Sequence, residues 1–334
     1  MLEHCRNLAR ESTELYPPQH GPTTCVAAHA AITRYGKTFP RMPRHWTARG
    51  NDSAAFIFIG DSNERIMMAN QCKPAVQRCD ASNDVDECEV AWHPACIKCL
   101  ACREPHGHLL MNLMTFGLAL NGCYHDDADS YDMSPRDFQT RIETLLPAML
   151  KSVESYRTVH VSLHSGLWDA YALHRQQGKC REFESLTLAQ QRVRFLRKVH
   201  DAVEFVRHLL RLHRGNRGAH FELSWRTIPT TTTAYAPLEV VRHVSEWGYE
   251  AACTERLYLF DWRKVSCGAE HDLEVDGVHW KHYSRFWHLY NSAGRDGARR
   301  RVGDSARCLH QMHELPPDCP AAVAERLIRA PASR

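Results

Sequence analysis

The chain has 334 residues, with 42 Lys+Arg against 39 Asp+Glu, a formal net charge of +3 and a hydrophobic share of 43%. That length and apolar content suffice for one large core or two small ones, and they exclude wholesale disorder. The near-balanced charge gives no electrostatic reason for a nucleic-acid or membrane-surface partner. The longest uncharged stretch, 105–125, holds Asn112, Gly117, Asn121 and Gly122 and falls short of a spanning helix.

In chain order, residues 1–53 mix Pro, His, Arg and Thr without a sustained period and are expected to form an irregular extension. Residues 1–15 are polar and charged, without the apolar run that a secretory leader needs. From Ala54 onward, short apolar runs alternate with long amphipathic segments. The first run, Ala55–Ile59, is an expected strand that leads straight into Gly60-Asp61-Ser62-Asn63-Glu64-Arg65. A glycine there permits a tight turn. Ser62 would then open a helix, its hydroxyl exposed beside backbone N–H groups that have no helical partner. Asp and Ser are also ordinary helix caps, so the tripeptide alone has a purely structural reading.

Six of the 14 cysteines fall between Cys72 and Cys102. The last three, Cys96, Cys99 and Cys102, are spaced C-x-x-C-x-x-C, with His93, His106 and His108 close by. Three readings compete: a zinc knot, a disulfide-stapled insertion at about 72–102, and buried free thiols. No second C-x-x-C pair follows at zinc-ribbon distance, which favours disulfides. Disulfides favour the secretory pathway or the cell exterior; the leaderless start at Met1 leaves the cytoplasm as the alternative.

The next expected strand, Leu109–Phe116, ends at Gly117, with Gly122 beyond it, and a helix is expected over 136–155. Strand Thr158–His164 runs into His164-Ser165-Gly166-Leu167-Trp168-Asp169. The clearest helix, 187–213, carries Val193, Leu196, Val199, Val203, Val206 and Leu210 in steps of three and four, one apolar stripe. Strand His220–Trp225 then leads into Arg226-Thr227-Ile228-Pro229, and a helix over 237–251 precedes strand Arg256–Phe260. Asp276-Gly277-Val278-His279-Trp280 follows, with a last helix expected over 279–290 around Tyr283, Phe286, Trp287 and Tyr290. Residues 292–334 form a basic linker, with Arg299, Arg300 and Arg301 in a row, and a Pro/Ala tail that is expected to be disordered.

Strands alternating with helices predict parallel pairing, because each crossover needs a dozen or more residues. The expected fold is a three-layer α/β/α sandwich over 54–291, built on a five-stranded, mainly parallel sheet. Its active site belongs beyond the strand carboxyl ends, and three polar motifs fall at such ends. An Asp three residues before a His can hold the imidazole at Nδ1 and leave Nε2 free to take a proton from a serine. Ser165 lacks the Gly-x-Ser-x-Gly elbow. His271, Asp272 and Glu274 lack zinc spacing, and no phosphate-binding loop occurs, so neither a metal nor a cofactor is expected. Trp168, Trp280 and Trp287 could stack on sugar rings, although such positions are more often core.

Gly60-Asp61-Ser62-x-x-Arg65, Ser165-Gly166-Leu167-Trp168-Asp169, Trp225-Arg226-Thr227-Ile228-Pro229 and Asp276-Gly277-Val278-His279-Trp280 together resemble the SGNH (GDSL-like) hydrolase superfamily. They resemble more closely its PC-esterase branch, which includes the plant trichome-birefringence-like polysaccharide O-acetyltransferases. The resemblance covers about residues 54–291 and implies a flavodoxin-like SGNH fold. It implies Ser62 as nucleophile, His279 as general base and then acid, and Asp276 as the carboxylate that orients His279. It also implies an oxyanion hole made of the Ser62 N–H, Gly117 (Gly122 in reserve) and the third-block residue, where His164 stands in place of the relatives' Asn. Arg65, Asp61 and Trp168 would support the site. The implied activity is an acyl-enzyme esterase for an O-acylated small molecule or glycan, O-acetyl carbohydrate above all. The alternatives are an O-acetyltransferase with the same triad and a catalytically silent member that binds a glycan or a partner.

Overall fold

The computed structural model describes residues 54–72, 77–78, 99–105, 107–117, 138–164, 166–175, 186–214, 220–229, 236–260, 262–266, 272–274, 278–284, 286–288 and 290. The expected extension over 1–53 and the linker and tail over 292–334 lie outside them.

Strand β1 (Ala55–Gly60) is buried along its whole length. An unbroken apolar run has no face for water and belongs inside a parallel sheet. In that sheet, β1 pairs in parallel with β4 (Leu109–Met114) on one side and with β5 (Thr158–Leu163) on the other. Beyond β5 the parallel order continues through β6 (His220–Arg226) and β7 (Tyr258–Phe260). These are the five expected strands. Among the described residues the sheet nevertheless has seven, because β2 (Gln77–Arg78) and β3 (Cys99–Arg103) add antiparallel to the β4 edge. A two-residue strand has no period to detect, and the cysteine spacing in β3 imitates ligand spacing.

Side chains alternate across the strands and build a core on each face. On one face Ile57, Ile59, Met111, Val161 and Leu163 meet α2 (Phe138–Ser152), α3 (Leu167–Arg175), α4 (Leu188–Arg214) and α5 (Leu238–Thr254). On the other, Phe56, Phe58, Leu100 and Leu110 meet α1 (Ser62–Gln71), α6 (Trp262–Ser266) and the aromatic run Trp280 to Tyr290. The fold is thus an α/β three-layer sandwich. The α4 stripe holds from Val199 to Leu210, but Val193 is 49% exposed, because the first turns of α4 lie largely in solvent. Among the described residues, no helix is long and apolar enough to cross a membrane.

The expected helix over 279–290 is corrected at its start, since helical structure begins only at Ser284. Upstream, Trp280 bridges to Leu273, Glu274 N–H donates to His279 O at 2.7 Å, and Lys281 N–H donates to Asp272 O at 2.8 Å. These antiparallel bonds hold His279 on the return arm of a narrow hairpin, where a helical His279 would point elsewhere.

Cys72, at the carboxyl cap of α1, is disulfide-bonded to Cys102 on β3, with Cα atoms 5.8 Å apart. A zinc knot through Cys102 and His108 is thereby overturned: the Cys102 sulfur is consumed, and His108 Nδ1 accepts Ala54 N–H at 3.0 Å. Cys79, Cys88, Cys96, His93 and His106 lie outside the described residues.

Candidate active site

The chain leaves β1 for β4 on one side and then returns to β5 on the other. The order reverses at β1, which is where an open α/β sheet places its ligand crevice, beyond the carboxyl ends of β1 and β5. Asp61, Ser62 and His164 stand there.

Asp61 caps α1 with extended backbone; its Oδ1 accepts Asn63 N–H at 2.9 Å, and its side chain also accepts the Glu64 N–H. Glu64 Oε2 reaches back to accept Asp61 N–H at 3.1 Å, closing a reciprocal capping box. Three amides of this turn are satisfied in this way. The Ser62 N–H, at the first helical position, has no acceptor among the described residues. Gly60 serves space rather than turn geometry. Its φ is not positive, but a Cβ there would lie 2.6 Å from the Glu64 carboxyl carbon.

Across 217 residues of sequence, Ser62 Oγ lies 2.7 Å from His279 Nε2. Ser62 is partly exposed, whereas His279 is 9% exposed. A serine O–H that points at an imidazole nitrogen while still facing solvent is the arrangement that nucleophilic catalysis requires. Asp276 and Gly122, which the resemblance implicates, and Ser165 lie outside the described residues.

Beneath Ser62 is a buried charge cluster that the sequence did not disclose. Arg226, fully buried at the end of β6, donates from Nη2 to Asp61 Oδ1 at 3.2 Å, from Nε to Glu64 Oε1, and from Nη1 to Thr227 O at 3.1 Å. Its guanidinium carbon sits 4.2 Å from the centre of the Trp262 ring. Burial alone would push the Asp61 pKa up, but the neighbouring His164 and Arg226, with the bonds from His164 and Asn63, hold it well below the usual carboxylate range. Burial dominates at Glu64 and raises its pKa, against the pull of Arg226 and His164. For Arg226 burial opposes the charge, yet Glu64 and Asp61 raise its pKa.

His164 requires a correction. As an oxyanion donor its ring would have to face the crevice, but it is buried, with Nε2 3.0 Å from Asp61 Oδ2 and Nδ1 3.1 Å from Arg226 O. Both nitrogens are engaged inward, so the ring supports the Ser62 turn from below. Asp61, Glu64 and His164 hold ligand atoms within 4.8 Å of one another, but Arg226 already pairs with both carboxylates, so the cluster is an ion-pair network and a poor cation site.

On the far side of β1, Thr115 donates its backbone N–H and its Oγ1–H to Gly60 O, the latter at 3.3 Å, which ties the end of β4 to the Ser62 turn. Two residues on, Gly117 has φ +83°, and a Cβ there would lie 2.8 Å from Asp169 Cγ. Beside it, Trp168 is half-buried, edge-on to Phe116 at 4.9 Å and to Tyr171 at 6.2 Å. Arg65 is buried one turn after Ser62, whereas Trp280 and Trp287 belong to the core. Sequence reasoning missed the roles of Glu64 and Arg226. The signals were present: Asp61-x-x-Glu64 is capping-box spacing, and an arginine closing an apolar strand demands a buried counter-charge.

No protein-family model matches the chain, and no curated protein matches it. Among solved structures, a lipase/acylhydrolase from Enterococcus faecalis is similar at 14% identity and a TM-score of 0.38, covering 74% of this chain and 98% of that one. A second solved chain is similar at 12% identity and a TM-score of 0.38, covering 72% of this chain and 96% of its own length.

Proposed function

We propose that the chain is a serine-dependent esterase of the SGNH type, on its PC-esterase branch, that cleaves O-acyl esters through an acyl-enzyme. The observation that carries this reading is the 2.7 Å approach of Ser62 Oγ to His279 Nε2 at the crevice. Ser62 Oγ attacks the ester carbonyl carbon while His279 Nε2 takes the hydroxyl proton. The tetrahedral intermediate collapses, the C–O bond to the alcohol breaks, and His279 returns the proton to the departing oxygen. Water then attacks the acyl-Ser62 ester, with His279 again acting as base. Asp276 orients His279 on the family resemblance.

Backbone donors stabilise the oxyanion in this reading. The Ser62 N–H is left open by the cap, and Gly117 sits on the same rim at the end of β4. With the His164 ring turned inward, the hole has one donor fewer than the resemblance implies, a difference of about 3 kcal/mol in transition-state stabilisation. O-acetyl carbohydrate is the substrate class, supported by the resemblance and by the half-buried Trp168 beside Gly117.

The inward His164 also favours a second reading, a silent member that binds the acylated glycan without cleaving it. Turnover separates the two. Incubation with p-nitrophenyl acetate and acetylated oligosaccharides should release acetate, and Ser62→Ala should stop it. Folded protein that binds an acetylated oligosaccharide and releases no acetate would support the second reading.

A further inference from the structure

We propose that Tyr283 and Asn63 form a latch that sets the distance between Ser62 and His279, which makes both of them positioning residues; this inference rests on the esterase reading above. Ser62 opens α1, and His279 sits on a hairpin arm more than two hundred residues later. Their direct bond cannot by itself hold the two elements in register. A single hydrogen bond contributes little net stability, and this one must break each time the serine attacks. A second tie is needed that substrate does not disturb.

Tyr283 Oη supplies it. The phenol donates to Asn63 Oδ1 at 2.8 Å and accepts Trp280 N–H at 3.2 Å. Asn63 follows the serine in sequence, and Trp280 follows the histidine. One oxygen is therefore bonded to the immediate neighbour of each reacting residue. A phenol is suited to this because its oxygen donates and accepts at once, from the end of a rigid ring. Both side chains are 1% exposed, so solvent does not compete for either bond. The Tyr283 ring packs against Phe286 at 5.8 Å, and burial keeps the phenol protonated far above the ordinary range, so it remains a donor. Asn63 is also pinned from the other side, because its backbone N–H donates to Asp61 Oδ1. The latch thus joins the capped nucleophile turn to the base hairpin behind the reacting atoms, on the face of the sheet away from α2 to α5.

Tyr283→Phe removes one oxygen and leaves the ring in its packing. With p-nitrophenyl acetate, kcat should fall about 10- to 100-fold with KM unchanged, since misplacement of catalytic groups costs rate rather than binding. The rate at which a fluorophosphonate labels Ser62 should fall by the same factor. Asn63→Ala should reproduce both losses, and the double variant should be no worse than either single one, because all three cut the same tie. Asn63→Ala carries the test alone should Tyr283→Phe fail to fold. Purely structural roles would lower thermal stability while leaving the labelling rate of folded protein unchanged. Wild-type rates in folded Tyr283→Phe or Asn63→Ala, or losses that multiply in the double variant, would overturn the latch and leave the esterase intact. Folded wild-type protein that neither turns over the ester nor takes the label would remove the esterase reading, and the latch with it.

Discussion

Two carboxylates, a guanidinium and an imidazole share the buried space under Ser62, and each needs the others. Arg226 lies between Asp61 and Glu64, and His164 closes the far side of Asp61. Removing one member of a buried pair leaves an uncompensated charge, so Arg226→Met should destabilise the fold by about 3–5 kcal/mol. The loss should also depend on pH. The Glu64 pKa is already raised by burial, and without Arg226 it rises further. A group whose folded pKa exceeds its unfolded value contributes stability below the unfolded pKa and loses it as pH rises through the folded one. The Arg226→Met penalty should therefore be smaller at about pH 4 than at about pH 7. Denaturant midpoints of both proteins at the two pH values check this, and equal penalties would contradict it. At Gly117 two constraints coincide, a φ of +83° and the Asp169 carboxylate where a Cβ would stand. Gly117→Ala should cost about 1–3 kcal/mol of stability. If Gly117 donates to the oxyanion, the same change should lower kcat by about 10²–10³-fold, read from initial rates.

At the scale of elements, α1 is anchored at both ends. Its amino end is held by the Asp61–Glu64 box and its carboxyl end by the Cys72–Cys102 disulfide, a tie across 30 residues. Chain-entropy arithmetic for a loop of that size gives a stabilisation of about 3–4 kcal/mol, which the Cys72→Ser/Cys102→Ser double variant should lose in denaturant titration. The end of α5 carries an avoidable cost. Glu255 N–H donates to Ala251 O at 2.8 Å and Leu257 N–H to Ala252 O at 2.9 Å, a helix stop that places Arg256 at φ 51°. Glycine adopts that conformation without a Cβ penalty. Arg256→Gly should raise stability by about 0.5–1 kcal/mol and the melting temperature by about 1–4 °C in a calorimetric scan.

Across the whole molecule, legibility followed the range of the signal. Buried strands such as Ala55–Gly60 and Thr158–Leu163 announce themselves as short apolar runs, and their alternation with helices set the layers and the rim where Ser62 and His279 meet. The meeting of Ser62 and His279 was legible because each lies in a short polar motif at an element's end. Arg226 signals by its place that it needs a counter-charge, but its partners were not legible, because Asp61 and Glu64 lie 165 and 162 residues away and no local period reports such a contact. The inward turn of His164 was hidden for the same reason, since Asp61 is 103 residues distant. The hairpin around Leu273 and Trp280 was masked by aromatics whose spacing imitates a helix. The central claim is that Ser62 Oγ is activated by His279 Nε2, and covalent labelling tests it most directly. Native protein treated with a fluorophosphonate and mapped by peptide mass spectrometry should carry the adduct on Ser62, with none in Ser62→Ala and a rate lower by about 10²–10⁴-fold in His279→Ala. Folded protein that stays unmodified, or that carries the adduct on Ser165, would contradict it.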